Sequence, residues 1–130
     1  MPSILLDTNA LLWQAGPTEG VLGVVAQRLL TGADKVYVSS ITVVELQIKT
    51  MLGKLNVPDD CIKMITDTGD ELLAYTPEAA QAIKLYPQLA RHDPFDRMIL
   101  AQATVLNVHL MTADAFLLAL GLPFLIDARV

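Results

Sequence analysis

The chain has 130 residues, 53% hydrophobic and 18% charged, which excludes intrinsic disorder, and the Asp, Lys, Gln and Thr scattered through every apolar stretch exclude a membrane span. One domain with one core is expected over residues 1–130, burying about two-thirds of the unfolded chain's surface. Nine basic against fourteen acidic residues leave a net charge of −5, so the broad basic footprint of a protein that holds nucleic acid by charge alone is missing.

In chain order, an apolar run predicts a strand over 3–6, followed by helical sequence that includes 21–30. A strand over 35–38 leads into helices over 41–52 and 59–66. A third strand, 71–74, precedes helices over 77–86 and 94–106; then come a strand over 109–111, a helix over 113–120 and a last strand over 123–126. Gly32, Gly53, Gly69 and Gly121 fall past helix ends, and Pro58, Pro77 and Pro94 near starts. This alternation predicts an α/β fold: a central, mostly parallel sheet of about five strands with helices on both faces, binding ligands outside the carboxyl ends of the strands. A single cysteine, Cys61, excludes an intramolecular disulfide, and with no basic leader ahead of the run 4–6 the expected location is the cytoplasm. The aliphatic surplus leads us to expect self-association or a hydrophobic partner.

Four acids fall near that carboxyl edge. Asp7 directly follows the first strand, and Asp114 lies just past the fourth. Glu45 sits early in the helix after the second strand, and Asp96 in the first turn of the helix opened by Asp93-Pro94. At about 100° per residue, Ile41, Ile48, Leu52 and Leu55 define an apolar stripe with Glu45 at its edge, while Asp96 projects with Ile99, Leu100 and Ala103. Each acid also has a plain structural role open to it. Thr42 to Glu45 fits a capping box, Asp93 an N-cap with Pro at N1, Thr112 a cap for the helix carrying Asp114, and Lys49 a helix salt bridge to Glu45. Gathered together they are another matter, since like charges about 4 Å apart repel by about 4 kcal/mol at an effective dielectric near 20. Oxygen-only ligands select a hard divalent cation, Mg²⁺ or Mn²⁺, which would also let an acidic protein approach a phosphodiester. Metal-assisted hydrolysis of a nucleic-acid backbone is the expected reaction class.

These residues resemble a known family, the PIN-domain ribonucleases, and within it the VapC-type toxins of bacterial and archaeal toxin–antitoxin pairs. The resemblance runs almost end to end. It is carried by LLDTNALLW (5–13), VSSITVVELQIK (38–49), HDPFDRMILAQA (92–103) and LMTADAF (110–116), in the family's order and spacing. It implies a PIN-like fold, with Asp7, Glu45, Asp96 and Asp114 as a metal-binding, catalytic quartet for endoribonuclease cleavage of RNA. It further implies a homodimer held in check by a cognate VapB-type antitoxin. The chain departs from the subgroup it most resembles at Asn9, where His is frequent.

Around the quartet, Thr8, Asn9, Asp93 and Thr112 are placed to orient carboxylates, and Arg97, Arg91 and Lys49 to contact RNA phosphate. His92 is read as an incidental loop histidine, Trp13 as core or dimer contact, and Cys61 as lacking the partners of a thiol nucleophile. Three rival functions are weighed: an Asp-based phosphotransfer domain, disfavoured because the position two residues after Asp7 is Asn9; a non-catalytic interaction or RNA-binding module of the same fold, disfavoured because a carboxylate cluster without metal is a liability; and a related flap or DNA nuclease, for whose junction-gripping insertions the chain lacks room.

Overall fold

A computed structural model of the chain describes residues 2–16 and 21–130. The first strand, β1 (Ile4–Leu6), runs into α1 (Thr8–Ala15), followed by α2 (Val24–Gly32), β2 (Val36–Ser39), α3 (Ser40–Met51), α4 (Cys61–Asp67) and β3 (Glu71–Leu73). Then come α5 (Pro77–Gln81), 3₁₀ turns at Ala82–Leu85 and Pro87–Leu89, α6 (Pro94–Leu106), β4 (His109–Thr112), α7 (Ala115–Leu118) and β5 (Leu125–Asp127). The strands form one sheet in the order β3-β2-β1-β4-β5, and all four pairings are parallel, as the buried apolar runs predict. No helix among the described residues is long and apolar enough to cross a membrane.

Side-chain alternation on the central strand divides the core into two layers. Ile4 and Leu6 pack with Leu11, Leu46, Ile65 and Met111 on one face, while Leu5 packs with Leu89, Ile99, Leu100 and Leu110 on the other. Strand order reverses at β1, whose residue Leu6 pairs with Val38 on one side and Met111 on the other. The crevice between β1 and β4 is therefore the switch point at which doubly wound sheets place their sites. Backbone hydrogen bonding extends β1 by one residue there, Asp7 N donating to Met111 O at 3.0 Å.

Strand bounds agree with expectation to within two residues; several helices differ. α1 had no expected bounds, yet its signals are local: Asp7 accepts from Ala10 N as N-cap, and Gly16, at φ 84°, closes the helix in the left-handed conformation. The helix expected over 77–86 changes to 3₁₀ after Gln81, and the one expected over 113–120 is the single turn of α7. Gly53, Gly69 and Gly121 do lie past helix ends with positive φ, but Gly32 is the last residue of α2, and Ala33 its cap. No capping box forms at Thr42 and Glu45, because Ser39 caps α3 and both residues are buried. α7 is capped by Asp114 itself, not by Thr112.

The expected buried face of α3 is also corrected. Ile48 and Leu52 are 40% and 63% exposed, and the side turned inward carries Thr42, Glu45 and Leu46. Tertiary neighbours α1, α4 and α6 select that side, and two of its three buried members are polar because it faces the acids. Leu46→Ala should therefore cost about 2–5 kcal/mol of stability. Leu52→Ala should cost less than about 0.5 kcal/mol. Urea unfolding of both variants checks this; equal losses would mean the helix is turned the other way.

Candidate metal and active site

The chain brings its four expected acids to the carboxyl edge from four separate elements. Asp7 ends β1, Glu45 lies in the second turn of α3, Asp96 in the first turn of α6, and Asp114 at the N-cap of α7. Exposure grades across them. Asp7 and Glu45 are 2% and 4% exposed and form the floor, while Asp96 and Asp114 are partly open to solvent.

Hydroxyls pin the floor. Asp7 uses Oδ1 to accept from Ala10 N at 2.8 Å and Oδ2 to accept from Thr112 Oγ1 at 2.5 Å. The same Thr112 oxygen accepts from Asp114 N at 3.0 Å, so one buried hydroxyl fixes two of the four acids. Thr8 Oγ1 donates to Glu45 Oε1 at 2.6 Å, and Lys49 Nζ donates to Glu45 Oε2 at the same distance. Thr8 and Thr112 thus make the contacts expected of them. Asn9 is exposed and hydrogen-bonds none of the acids, while Asp93 is exposed and caps α6 through Phe95 N at 2.8 Å.

The tightest cluster is one that the sequence reading passed over. His92 is not an incidental loop residue: its Nε2 lies 3.3 Å from Asp96 Oδ2 and 3.3 Å from Asp114 Oδ2, and one ligand atom from each of the three residues falls within 4.8 Å of the others. The available signal was its spacing, four residues before Asp96, together with its place immediately ahead of the α6 cap. Of the expected phosphate contacts, Lys49 is engaged with Glu45, and neither Arg91 nor Arg97 forms an ion pair among the described residues. Arg91 is exposed; Arg97 is partly buried, with an Nε that has no hydrogen-bond partner among the described residues.

Crowding the carboxylates shifts their protonation. Burial pushes the Asp7 carboxyl up to about 6, with Glu45 adding to the effect against the hydrogen bonds from Thr112, Ala10 and Ala113. Asp96 is pushed up to about 8, first by burial, then by Asp114, with the charges of Asp93 and Asp7 adding. Burial opposes ionisation of Asp114 as well, but the hydrogen bond from Asp96, the Leu117 and Phe116 N–H groups and the charge of His92 hold it below the ordinary range. The Asp96–Asp114 pair titrates as a unit, Asp96 pushed up and Asp114 held down. Partial burial opposes the charge on Lys49, yet its hydrogen bond to Glu45, reinforced by the charges of Glu45, Asp93 and Asp96, raises it. A cation between crowded carboxylates would offset both their burial and their mutual repulsion. The site's donors, carboxylate oxygens with one imidazole nitrogen, fit a divalent ion.

Strand order and acid placement define a class: an α/β domain with a carboxylate cluster at the switch point of a five-stranded parallel sheet. The family model for the PIN domain matches residues 4–120, and the chain belongs to that family. No protein of curated function matches it in sequence. Among solved structures it is similar to a toxin–antitoxin complex from Klebsiella pneumoniae, at 20% identity and TM-score 0.65 over 96% of this chain and 97% of that one. It is similar also to VapBC-5 of Mycobacterium tuberculosis, at 22% identity and TM-score 0.63 over 100% of both chains. A third likeness is to VapBC2 from Rickettsia felis bound to a DNA fragment from their promoter, at 16% identity and TM-score 0.59 over 95% of this chain and 96% of that one. At these identities the likeness is one of fold.

The raised acids set a pH dependence. Asp7 and Asp96 have an ordinary value of 3.8 and fold to about 6 and about 8, so between pH 4 and 8 the native state binds more protons than the unfolded state, and stability falls as pH rises. With chelator present, the melting temperature should drop between pH 5 and 8 by roughly 5 °C. Asp96→Asn should flatten the upper part of that fall. Calorimetry across the range checks both, and a melting temperature that climbs toward pH 8 would contradict the assignment.

Proposed function

We propose that this protein is a metal-dependent endoribonuclease, the VapC-type toxin of a type II toxin–antitoxin pair. The observation that carries the reading is the convergence of Asp7, Glu45, Asp96 and Asp114, from four elements, on the switch point of a PIN-domain sheet. Structural neighbours that are themselves toxin–antitoxin complexes, covered almost end to end, support the toxin assignment and a VapB-type antitoxin as partner. We further propose a cytoplasmic homodimer.

In this reading Asp7, Asp96 and Asp114 hold Mg²⁺ or Mn²⁺, with Glu45 as a further ligand or as the base that orients the attacking water. When bound, the ion supplies a lowered pKa for water and offsets negative charge developing at phosphorus. The chain's own residues prepare the rest. Thr112 holds Asp7 in a single orientation, and Thr8 with Lys49 fixes both oxygens of Glu45, so neither carboxylate has to reorganise during in-line attack. Arg97 and Arg91, free of acidic partners among the described residues, are available to the RNA phosphates on either side of the scissile bond. A phosphotransfer role for Asp7 is disfavoured by its engagement on both oxygens and by the exposure of Asn9.

Purified protein offered a panel of single-stranded and structured RNAs should cut with Mg²⁺ or Mn²⁺ and stop with chelator. Asp7→Asn should lower the rate more than about 100-fold while remaining folded. Undiminished cutting by the variant, or cutting that persists in chelator, would overturn the mechanism. Metal binding without cleavage of any RNA would favour the interaction-module reading.

A further inference from the structure

The mouth of the site holds a residue type that an all-carboxylate quartet does not need. We propose that His92 is a direct ligand of the divalent ion through Nε2, making the site a mixed nitrogen and oxygen centre that prefers Mn²⁺ to Mg²⁺. This rests on the metal-dependent reading above and adds to it a ligand and an ion preference.

The imidazole is positioned rather than loosely associated. His92 N donates to Leu89 O at 2.9 Å, fixing the backbone just ahead of the α6 cap. Its ring stacks on Phe116, with centroids 4.6 Å apart and planes 13° from parallel. Phe116 is 51% exposed, an unusual place for an aromatic ring in a chain with 5% aromatic residues, and the stack accounts for it. Held this way, Nε2 points between two carboxylate oxygens at equal distances of 3.3 Å. A single N–H cannot align well with two acceptors at once, whereas a lone pair directed between them can meet an ion that both also bind. Neighbouring donors on an octahedral ion with bonds of about 2.1 Å sit about 3 Å apart, close to the spacing found.

The carboxylates leave the matching atoms available. Asp114 divides its work, Oδ1 accepting from Phe116 N and Leu117 N at 2.8 and 3.0 Å while Oδ2 faces His92. Asp96 Oδ2 faces the same point, and no backbone N–H donates to Asp96 among the described hydrogen bonds. A nitrogen donor binds first-row transition ions better than the hard alkaline-earth ions, and with the remaining donors all oxygen, replacing one oxygen by an imidazole nitrogen shifts preference from Mg²⁺ toward Mn²⁺. His109, the other of the two histidines, opens β4 at the opposite edge of the sheet.

The test is Mn²⁺ binding to the full chain without RNA, followed by calorimetry and by pulsed electron paramagnetic resonance. The wild type should bind Mn²⁺ at least about tenfold more tightly than Mg²⁺ and show a ¹⁴N coupling typical of imidazole. His92→Gln should lose that coupling and about 10–100-fold of the Mn²⁺ affinity, with Mg²⁺ binding changed less than about threefold. The wild-type spectrum needs no variant to fold, so a bound Mn²⁺ without nitrogen coupling overturns the His92 assignment and leaves the carboxylate site standing. Unchanged Mn²⁺ affinity in a folded His92→Gln does the same. A wild type that binds neither ion overturns this inference together with the metal-dependent mechanism.

Discussion

One fully buried oxygen, Thr112 Oγ1, donates to Asp7 and accepts from the Asp114 backbone amide, tying the end of β1 to the loop after β4. Parallel pairing of these strands puts Asp7 and Asp114 on the same edge; the hydroxyl sets their orientation and stabilises the charge on Asp7. Without it Asp7 would face desolvation with only backbone donors for relief, and an unmatched buried carboxylate is expensive. The threonine at position 8 plays the equivalent part for Glu45 across the α1–α3 gap. Two small hydroxyls, with Lys49 on the other oxygen of Glu45, therefore hold the floor of the site, which leaves its mouth free for a ligand.

The distribution of charge follows from that choice. Lys49 offsets Glu45, but among the described ion pairs Asp7, Asp96 and Asp114 have no lysine or arginine partner, and burial, with the neighbouring carboxylates adding, raises Asp96 to about 8. In a fold selected for stability alone, such a cluster would be a liability that Asn or Ser could relieve. Placed at the sheet's switch point, the cluster breaks a local rule that the rest of the chain keeps, as binding and catalytic sites generally do.

Much of this was legible in the residues, for identifiable reasons. Parallel strands buried on both faces appear as short, mostly apolar runs, so the strands expected over 3–6 and 109–111 were plain, and with them the positions of Asp7 and Asp114. Asp93-Pro94 announced α6 through cap chemistry that depends only on local backbone. The face of α3 was not legible, because periodicity assumes that the buried side is the apolar side, whereas α3 turns Thr42 and Glu45 inward toward other acids. His92 was missed for a related reason. Its role depends on Asp114, 22 residues away, and on a stack with Phe116, and neither pairing is written in any local pattern.

The pairing of Asp7 with Thr112 spans 105 residues, and β1 reaches its neighbour β4 only across the same distance. A ribosome adding about 5–20 residues per second would therefore expose the first acid several seconds before its hydroxyl partner exists. β1 and β2 can pair early, but the half of the sheet that carries Asp114 arrives last. Assembly of the acidic centre thus waits for synthesis past Asp114, so a nascent or prematurely released fragment that stops short of it carries Asp7 and Glu45 without the means to bring the four acids together.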